Sequence, residues 1–143
     1  MSRAARKDTI RNMPTILLVE DDPPLRELAR RALEATEGLV LLEARNGAQA
    51  LDLAAAQTDP ITLLITDIDM PHVDGFTLRE RLRELHPETR ALYMTGRAGD
   101  SVAIRGGLKE TGEPYLLKPF TKDAFLSAVE AALADRQDRT PEP

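Results

Sequence analysis

The chain has 143 residues, of which 42% are apolar and 30% charged, a composition typical of one globular domain and not of a disordered chain. Its net charge of −5 argues against nonspecific binding to nucleic acid or anionic membrane, and the lack of cysteine excludes disulfides and thiolate metal sites. The sequence contains neither an apolar run near the roughly 18 residues of a membrane span nor a signal peptide. We therefore expect a cytoplasmic protein that binds no nucleic acid and no membrane.

Short apolar runs alternate with amphipathic stretches from Thr15 onward. The first run, Thr15–Val19, is too short for a helix and apolar almost throughout, which predicts a strand covered on both faces. Asp22 and Pro23 follow as N-cap and first residue of a helix. Further strands are predicted at 39–42, 61–66, 91–94 and 115–117, with helices after Asn46, over 75–85, over about 100–109 and after Thr121.

Five βα units in succession predict an open parallel sheet with helices on both faces and right-handed crossovers. We place this domain at residues 15–135, after a basic N-terminal arm of residues 1–14 and before a polar tail of residues 136–143. The arm is either a solvated segment or a docking segment. Gly106 and Gly107 weaken the fourth helix, which we expect to be short or mobile.

Polar residues stand where four of the predicted strands end, and parallel α/β sheets bind ligands at this edge. These residues are Glu20, Asp21 and Asp22 after the first strand, Asp67 after the third, Thr95 after the fourth and Lys118 after the fifth. Each has a simpler explanation, since Asp22 can be a helix cap, Thr95 a turn residue and Lys118 a solvated cation. Asp67 is harder to explain so, because a carboxylate after an apolar strand is costly unless it is paired or metal-bound.

Clustered carboxylates repel one another, and a hard divalent cation such as Mg²⁺ or Mn²⁺ removes that repulsion. Asp67 is then a candidate nucleophile that forms an aspartyl phosphate. Metal on Asp21 and Asp67 would neutralise one side of the phosphoryl group, and the Lys118 ammonium another. The Thr95 hydroxyl can donate to a third oxygen.

Four motifs together resemble the receiver domain of two-component response regulators, the CheY-like family, over residues 15–135. The motifs lie at 16–22, at 67–71 followed by Asp74 and Gly75, at 94–96, and at 117–120. The resemblance implies a flavodoxin-like (βα)5 doubly wound fold with a five-stranded parallel sheet of order 2-1-3-4-5. It also implies a phosphorylation-dependent signalling switch.

For the metal, the resemblance implies that Asp21 and Asp67 are direct ligands and that the backbone carbonyl of Asp69 is a third. Glu20 would hold the metal through water, although an aspartate is commoner at this position. Asp67 would accept the phosphoryl group from a histidine kinase or histidine phosphotransfer protein.

For the response, the resemblance implies that Thr95 and Lys118 sense the phosphate and that Tyr115 is the aromatic residue that moves with Thr95. It further implies a cis peptide bond before Pro119. A downstream target would dock on the face formed by the fourth helix, fifth strand and last helix. We expect a monomer, with a phosphorylation-dependent dimer as the alternative, and a single domain without an output domain.

Two other functions fit part of the pattern. Asp67-Ile68-Asp69 matches the Asp-x-Asp motif of haloacid-dehalogenase-like phosphatases, but those enzymes carry it after their first strand. A pseudo-receiver would have the fold without phosphorylation. In the favoured interpretation the protein is not an enzyme beyond its own phosphorylation and dephosphorylation. His72 and His86 lack ligand spacing and are predicted to be surface residues.

Overall fold

Five parallel strands form one sheet in the order β2-β1-β3-β4-β5, which confirms the predicted fold. The computed structural model describes residues 13–96 and 101–138, with side chains described up to Ala134. The elements in chain order are β1 Thr15–Val19, α1 Pro23–Glu34, β2 Val40–Ala44, α2 Gly47–Ala56, β3 Leu63–Asp67, α3 Gly75–Leu85, β4 Arg90–Thr95, α4 Val102–Thr111, β5 Tyr115–Leu117 and α5 Lys122–Asp138.

The predicted domain limits, 15 and 135, stay predictions. Most of the predicted arm, residues 1–12, and the last five residues of the tail, 139–143, lie outside the described part of the chain. Helix α5 continues to Asp138, three residues past the predicted domain end at 135. Within the described ranges, no helix is both long enough and apolar enough to cross a bilayer.

The sheet is buried most completely at its centre, where β1 and β3 have every residue buried. In this register Leu17 lies beside Leu42 on one side and Leu64 on the other. Helices α1 and α5 pack on one face through residues such as Leu33 and Phe125. Helices α2 and α3 cover the other face through residues that include Ala50, Ala54, Leu78 and Leu82. Coverage from both sides explains why these strands are almost continuously apolar.

Side chains cap four of the five helices as the sequence suggests for such positions. Asn46, Asp74, Ser101 and Thr121 each accept a hydrogen bond from the backbone amide three residues later, at 2.8, 2.8, 3.1 and 3.0 Å. Asp22 occupies the N-cap position of α1, but its side chain makes no capping bond. Because Pro23 and Pro24 have no N–H groups, little remains there to cap.

Helix α4 begins two residues later than predicted and ends at Thr111. The next residue, Gly112, has a φ of +67°, the left-handed conformation that favours glycine. Leu108 is its one buried residue among those described. A Cβ at Gly107 would lie 2.6 Å from the ring of Phe76, so this glycine allows the helix to approach α3. The predicted mobility of α4 stays a prediction.

The two histidines differ. His72 is exposed, as predicted, and has a φ of +69° inside a turn in which the Val73 amide donates to the Pro71 carbonyl at 2.7 Å. His86 was expected at the surface, and that prediction is wrong. It is buried, with Nε2 2.9 Å from the Ala54 carbonyl oxygen, because the end of α3 packs against the last turn of α2.

Candidate metal and ion-pair site

Three carboxylates meet at the carboxyl edge of the sheet. One oxygen from each of Glu20, Asp21 and Asp67 lies within 4.8 Å of the others. The register of the sheet causes this, because Val19 pairs with Thr66 and the acidic residues follow directly on adjacent strands. Glu20 and Asp67 are buried, whereas Asp21 is exposed to solvent.

Lys118 reaches the same point from the end of β5. Its Nζ lies 2.8 Å from Glu20 Oε1 and 3.2 Å from Asp67 Oδ2. The second oxygen of Glu20 accepts a hydrogen bond of 3.2 Å from the Asp22 amide. Glu20, predicted as a water-mediated metal contact, is therefore also a close counter-ion of Lys118. This pairing could not be predicted from the sequence, because side-chain length and burial decide which carboxylate the ammonium contacts.

Burial governs the protonation of this group. It raises the pKa of Glu20 to about 7, with the negative charge of Asp67 adding to the effect and Lys118 opposing it. Burial also raises the pKa of Asp67, against the attraction of Lys118. The pKa of Lys118 is raised, because its pairing with Glu20 and Asp67 outweighs its partial burial. The cluster therefore holds a proton readily near neutral pH in the absence of a cation.

The donor set suits a divalent cation. Carboxylate oxygens are the ligands that Mg²⁺ and Mn²⁺ prefer, and a cation would replace the proton that burial favours. Asp21, Asp67 and Glu20 are the residues that would hold it, and receiver domains bind Mg²⁺ at an acidic pocket of this kind. Asp69 lies two residues past Asp67, in the loop after β3, where its backbone carbonyl was predicted as a ligand.

Gly75 closes the end of this loop against its start, a role that sequence reasoning missed. Its amide donates to the Ile68 carbonyl at 2.8 Å. A Cβ at Gly75 would lie 2.5 Å from the Asp67 carbonyl oxygen, which is a backbone atom with little freedom to move. The signal in the sequence was a glycine directly after the capping Asp74, at the first residue of α3.

The other predicted residues lie on the β4–β5 side of the site. Thr95 is buried at the end of β4, and the Lys118 amide donates to its carbonyl at 2.9 Å. Tyr115 pairs with Tyr93 in the sheet and is half-exposed. The peptide bond between Lys118 and Pro119 is cis, as predicted. The structure thus brings Glu20, Asp21, Asp67 and Lys118 together, and the roles predicted for Thr95 and Tyr115 stay predictions.

The fold and this site define a doubly wound α/β protein in which three carboxylates and one lysine converge at the carboxyl edge of the sheet. Residues 16–130 match the family model described as the response regulator receiver domain. The chain belongs to this family. The haloacid-dehalogenase-like phosphatases considered as an alternative are a different family.

Among solved structures, the chain is similar to the receiver domain of the hybrid histidine kinase CckA, with 33% identity and a TM-score of 0.68 over 83% of this chain and 98% of that one. It also resembles the signal receiver domain of an HD domain-containing protein from Pseudomonas fluorescens, with 28% identity and a TM-score of 0.76 over 89% and 99% of the two chains.

Curated relatives include the transcriptional regulatory protein CpxR of Escherichia coli, 36% identical over 85% of this chain and 50% of that protein. The sensor kinase CckA of Brucella abortus is 32% identical over 87% of this chain and 13% of that protein. The chain thus spans half or less of the length of these relatives, which are kinases as well as regulators.

Proposed function

We propose that this receiver domain is a phosphorylation-dependent switch of a two-component or phosphorelay system, with Asp67 as the phosphoryl acceptor. The observation that carries the proposal is the position of the Asp67 carboxylate, buried 3.2 Å from Lys118 Nζ and beside two further carboxylates. A histidine kinase or histidine phosphotransfer protein would be the donor. The single-domain organisation and cytoplasmic location stay predictions.

In the proposed reaction an oxygen of Asp67 attacks the donor's phosphorus, an O–P bond forms, and the bond from phosphorus to the donor's nitrogen breaks. Lys118 supplies positive charge next to the attacking oxygen. A bound Mg²⁺ or Mn²⁺ would neutralise charge on the phosphoryl oxygens. Glu20 and Asp21, with the Asp69 carbonyl, would hold that ion, and the exposed side of the cluster at Asp21 leaves room for the donor.

The response would begin at Thr95 and Lys118, which bond to the phosphoryl oxygens, and Tyr115 would move with Thr95. The face formed by α4, β5 and α5 carries large apolar side chains that are well exposed, as a docking surface requires. They are Val102 at 75%, Tyr115 at 49% and Leu117 at 54% exposure. We propose that a downstream target binds this face.

The test measures the increase in mass of the chain after incubation with a small acyl-phosphate donor and Mg²⁺. The wild-type chain should gain one phosphoryl group, and Asp67→Ala should gain none. Asp69→Asn is the matched control, because Asp69 contributes only its backbone carbonyl in this proposal, whereas a phosphatase with an Asp-x-Asp motif needs that side chain. An equal gain by Asp67→Ala would refute the assignment. A folded wild-type chain that gains nothing would instead be a pseudo-receiver.

A further inference from the structure

A second buried ion pair lies away from the acidic cluster, between α3 and the loop that precedes β5. Arg79 of α3 approaches Glu113 with its Nε 3.3 Å from both carboxylate oxygens and its Nη2 3.3 Å from Oε2. The two side chains are 10% and 11% exposed. The mechanism proposed above uses neither residue.

Glu113 also binds the fourth strand. Its Oε2 accepts the Ala91 amide at 3.1 Å, and its Oε1 accepts the Tyr93 hydroxyl at 3.3 Å. Burial, followed by the negative charge of Glu113, raises the pKa of Tyr93, so this hydroxyl stays protonated and donates. The ring of Tyr93 in turn lies against Phe76 of α3, with ring centroids 5.0 Å apart. One carboxylate thus joins α3, β4 and the start of β5.

A buried ion pair of this kind is weak evidence of net stabilisation. Removing two charges from water costs about as much free energy as their attraction returns. An apolar pair of the same size often stabilises a fold equally well. In addition, Nη1 of Arg79 is buried and has no hydrogen-bond partner in the described part of the chain, which adds a further cost. Because this network joins α3, β4 and the segment before β5, we assign it a role in conformation.

The position of Glu113 suggests which conformation it holds. Strand β5 has three residues, paired from Tyr93 with Tyr115 to Thr95 with Leu117. Glu113 lies just before β5 and holds the N-terminal end of that strand against β4. At the other end stands Lys118, proposed to bind the phosphoryl oxygens, whose amide donates to the carbonyl of Thr95 in β4 at 2.9 Å. With so few sheet bonds between them, the placement of the second end depends on how firmly the first end is held.

We propose that Glu113 and Arg79 are positioning residues that set the affinity of the site for a phosphoryl group. By anchoring the start of β5 to β4 and α3, they hold Lys118 where it faces the phosphoryl oxygens. The inference rests on the proposed function, and it separates two properties of the site. The metal ligands stand on β1 and β3, and Lys118 competes with a cation for two of them, so metal binding should not weaken when Glu113 is changed, whereas phosphoryl binding should.

The test compares the affinities of Glu113→Gln for Mg²⁺ alone and for beryllofluoride in the presence of Mg²⁺, both by calorimetry well below the unfolding temperature. We expect the beryllofluoride affinity to fall roughly three- to tenfold, while the Mg²⁺ affinity does not fall. Amide exchange at Tyr115–Leu117 should quicken in the variant. Glu80→Gln is the matched control, because Glu80 forms an exposed pair with Arg83 on the same helix.

Tyr93→Phe provides a milder variant that removes only the hydroxyl bond, and it should shift the beryllofluoride affinity in the same direction by a smaller factor. Unchanged beryllofluoride affinity in Glu113→Gln would overturn the proposal, and so would an equal loss of Mg²⁺ affinity, which would indicate general damage. Failure of the proposed function itself has a different signature, in which the wild-type chain binds no beryllofluoride or Asp67→Ala binds it equally well.

Discussion

The centre of the sheet and its β5 edge are built differently. Every residue of β1 and β3 is buried under helices on both faces, whereas Tyr115 and Leu117 of β5 are about half-exposed and α4 buries only Leu108 among its described residues. The carboxylates of the site stand on the centre, and the lysine that faces them comes from the edge. A change of charge at the firmly packed centre can therefore displace the weakly packed edge at low cost.

The largest expected effect tests the packing contrast itself. Leu64 in β3 is fully buried, and Leu64→Ala should lower the free energy of unfolding by about 2–5 kcal/mol. Leu117→Ala at the β5 edge should change it by less than about 1 kcal/mol. Urea unfolding followed by circular dichroism measures both, and equal losses would show that the edge is packed as firmly as the centre.

The loop between the centre and α3 should be the next most sensitive region after the core. Gly75→Ala places a Cβ against the Asp67 carbonyl, so the first turn of α3 must move away from the acceptor. We expect a loss of about 1–3 kcal/mol in stability together with weaker Mg²⁺ binding. Gly106→Ala is a suitable control for Mg²⁺ binding, because a Cβ there would meet no atom within 4 Å. Wild-type Mg²⁺ affinity in Gly75→Ala would show that this contact does not position the site.

The charge at the centre predicts a pH dependence without metal. The folded pKa of Glu20, about 7, is above its ordinary value of 4.5, so its contribution to stability is present below pH 4.5 and is lost as the pH rises towards 7. Glu20→Gln has no such loss. With chelator present, the stability of the variant relative to wild type should rise by roughly 1–3 kcal/mol across this window. Urea unfolding at a series of pH values measures it, and a constant difference would contradict the assigned shift.

The smallest effect concerns the edge helix. Gly106 of α4 has open space where a Cβ would be, and Gly106→Ala should stabilise the protein by up to about 1 kcal/mol through helix propensity alone. Hydrogen exchange in Val102–Thr111 should slow accordingly. If α4 is held by packing instead, its exchange will already be as slow as in α5 and the substitution will change it little.

Much of the fold could be predicted from the sequence, because burial on both faces makes β1 and β3 continuously apolar and because capping residues mark where the helices begin. Strand ends were less accurate. Strand β2 continues to Ala44 instead of stopping at 42, because Glu43 and Ala44 pair with Leu18 and Val19 of β1. The burial of His86 was missed, since it depends on a carbonyl at the end of another helix.

The candidate site, like the fold, could be predicted from the sequence only in part. The convergence of Asp21, Asp67 and Lys118 could be predicted, because parallel strands deliver their carboxyl ends to one edge. The pairing of Glu20 with Lys118 could not, since side-chain length and burial decide which carboxylate the ammonium contacts. The Arg79–Glu113 pair was also invisible, because two charged residues 34 positions apart carry no pattern of their own.

The short length of β5 also affects how this domain avoids self-association. A sheet edge with unpaired backbone groups and apolar side chains is a template for polymerisation, and natural proteins shorten such strands. Three residues, Tyr115–Leu117, offer too few backbone bonds to recruit a foreign strand. The domain can therefore keep Tyr115 and Leu117 accessible at high cellular concentration without seeding aggregates, and lengthening β5 by a few residues would remove that protection.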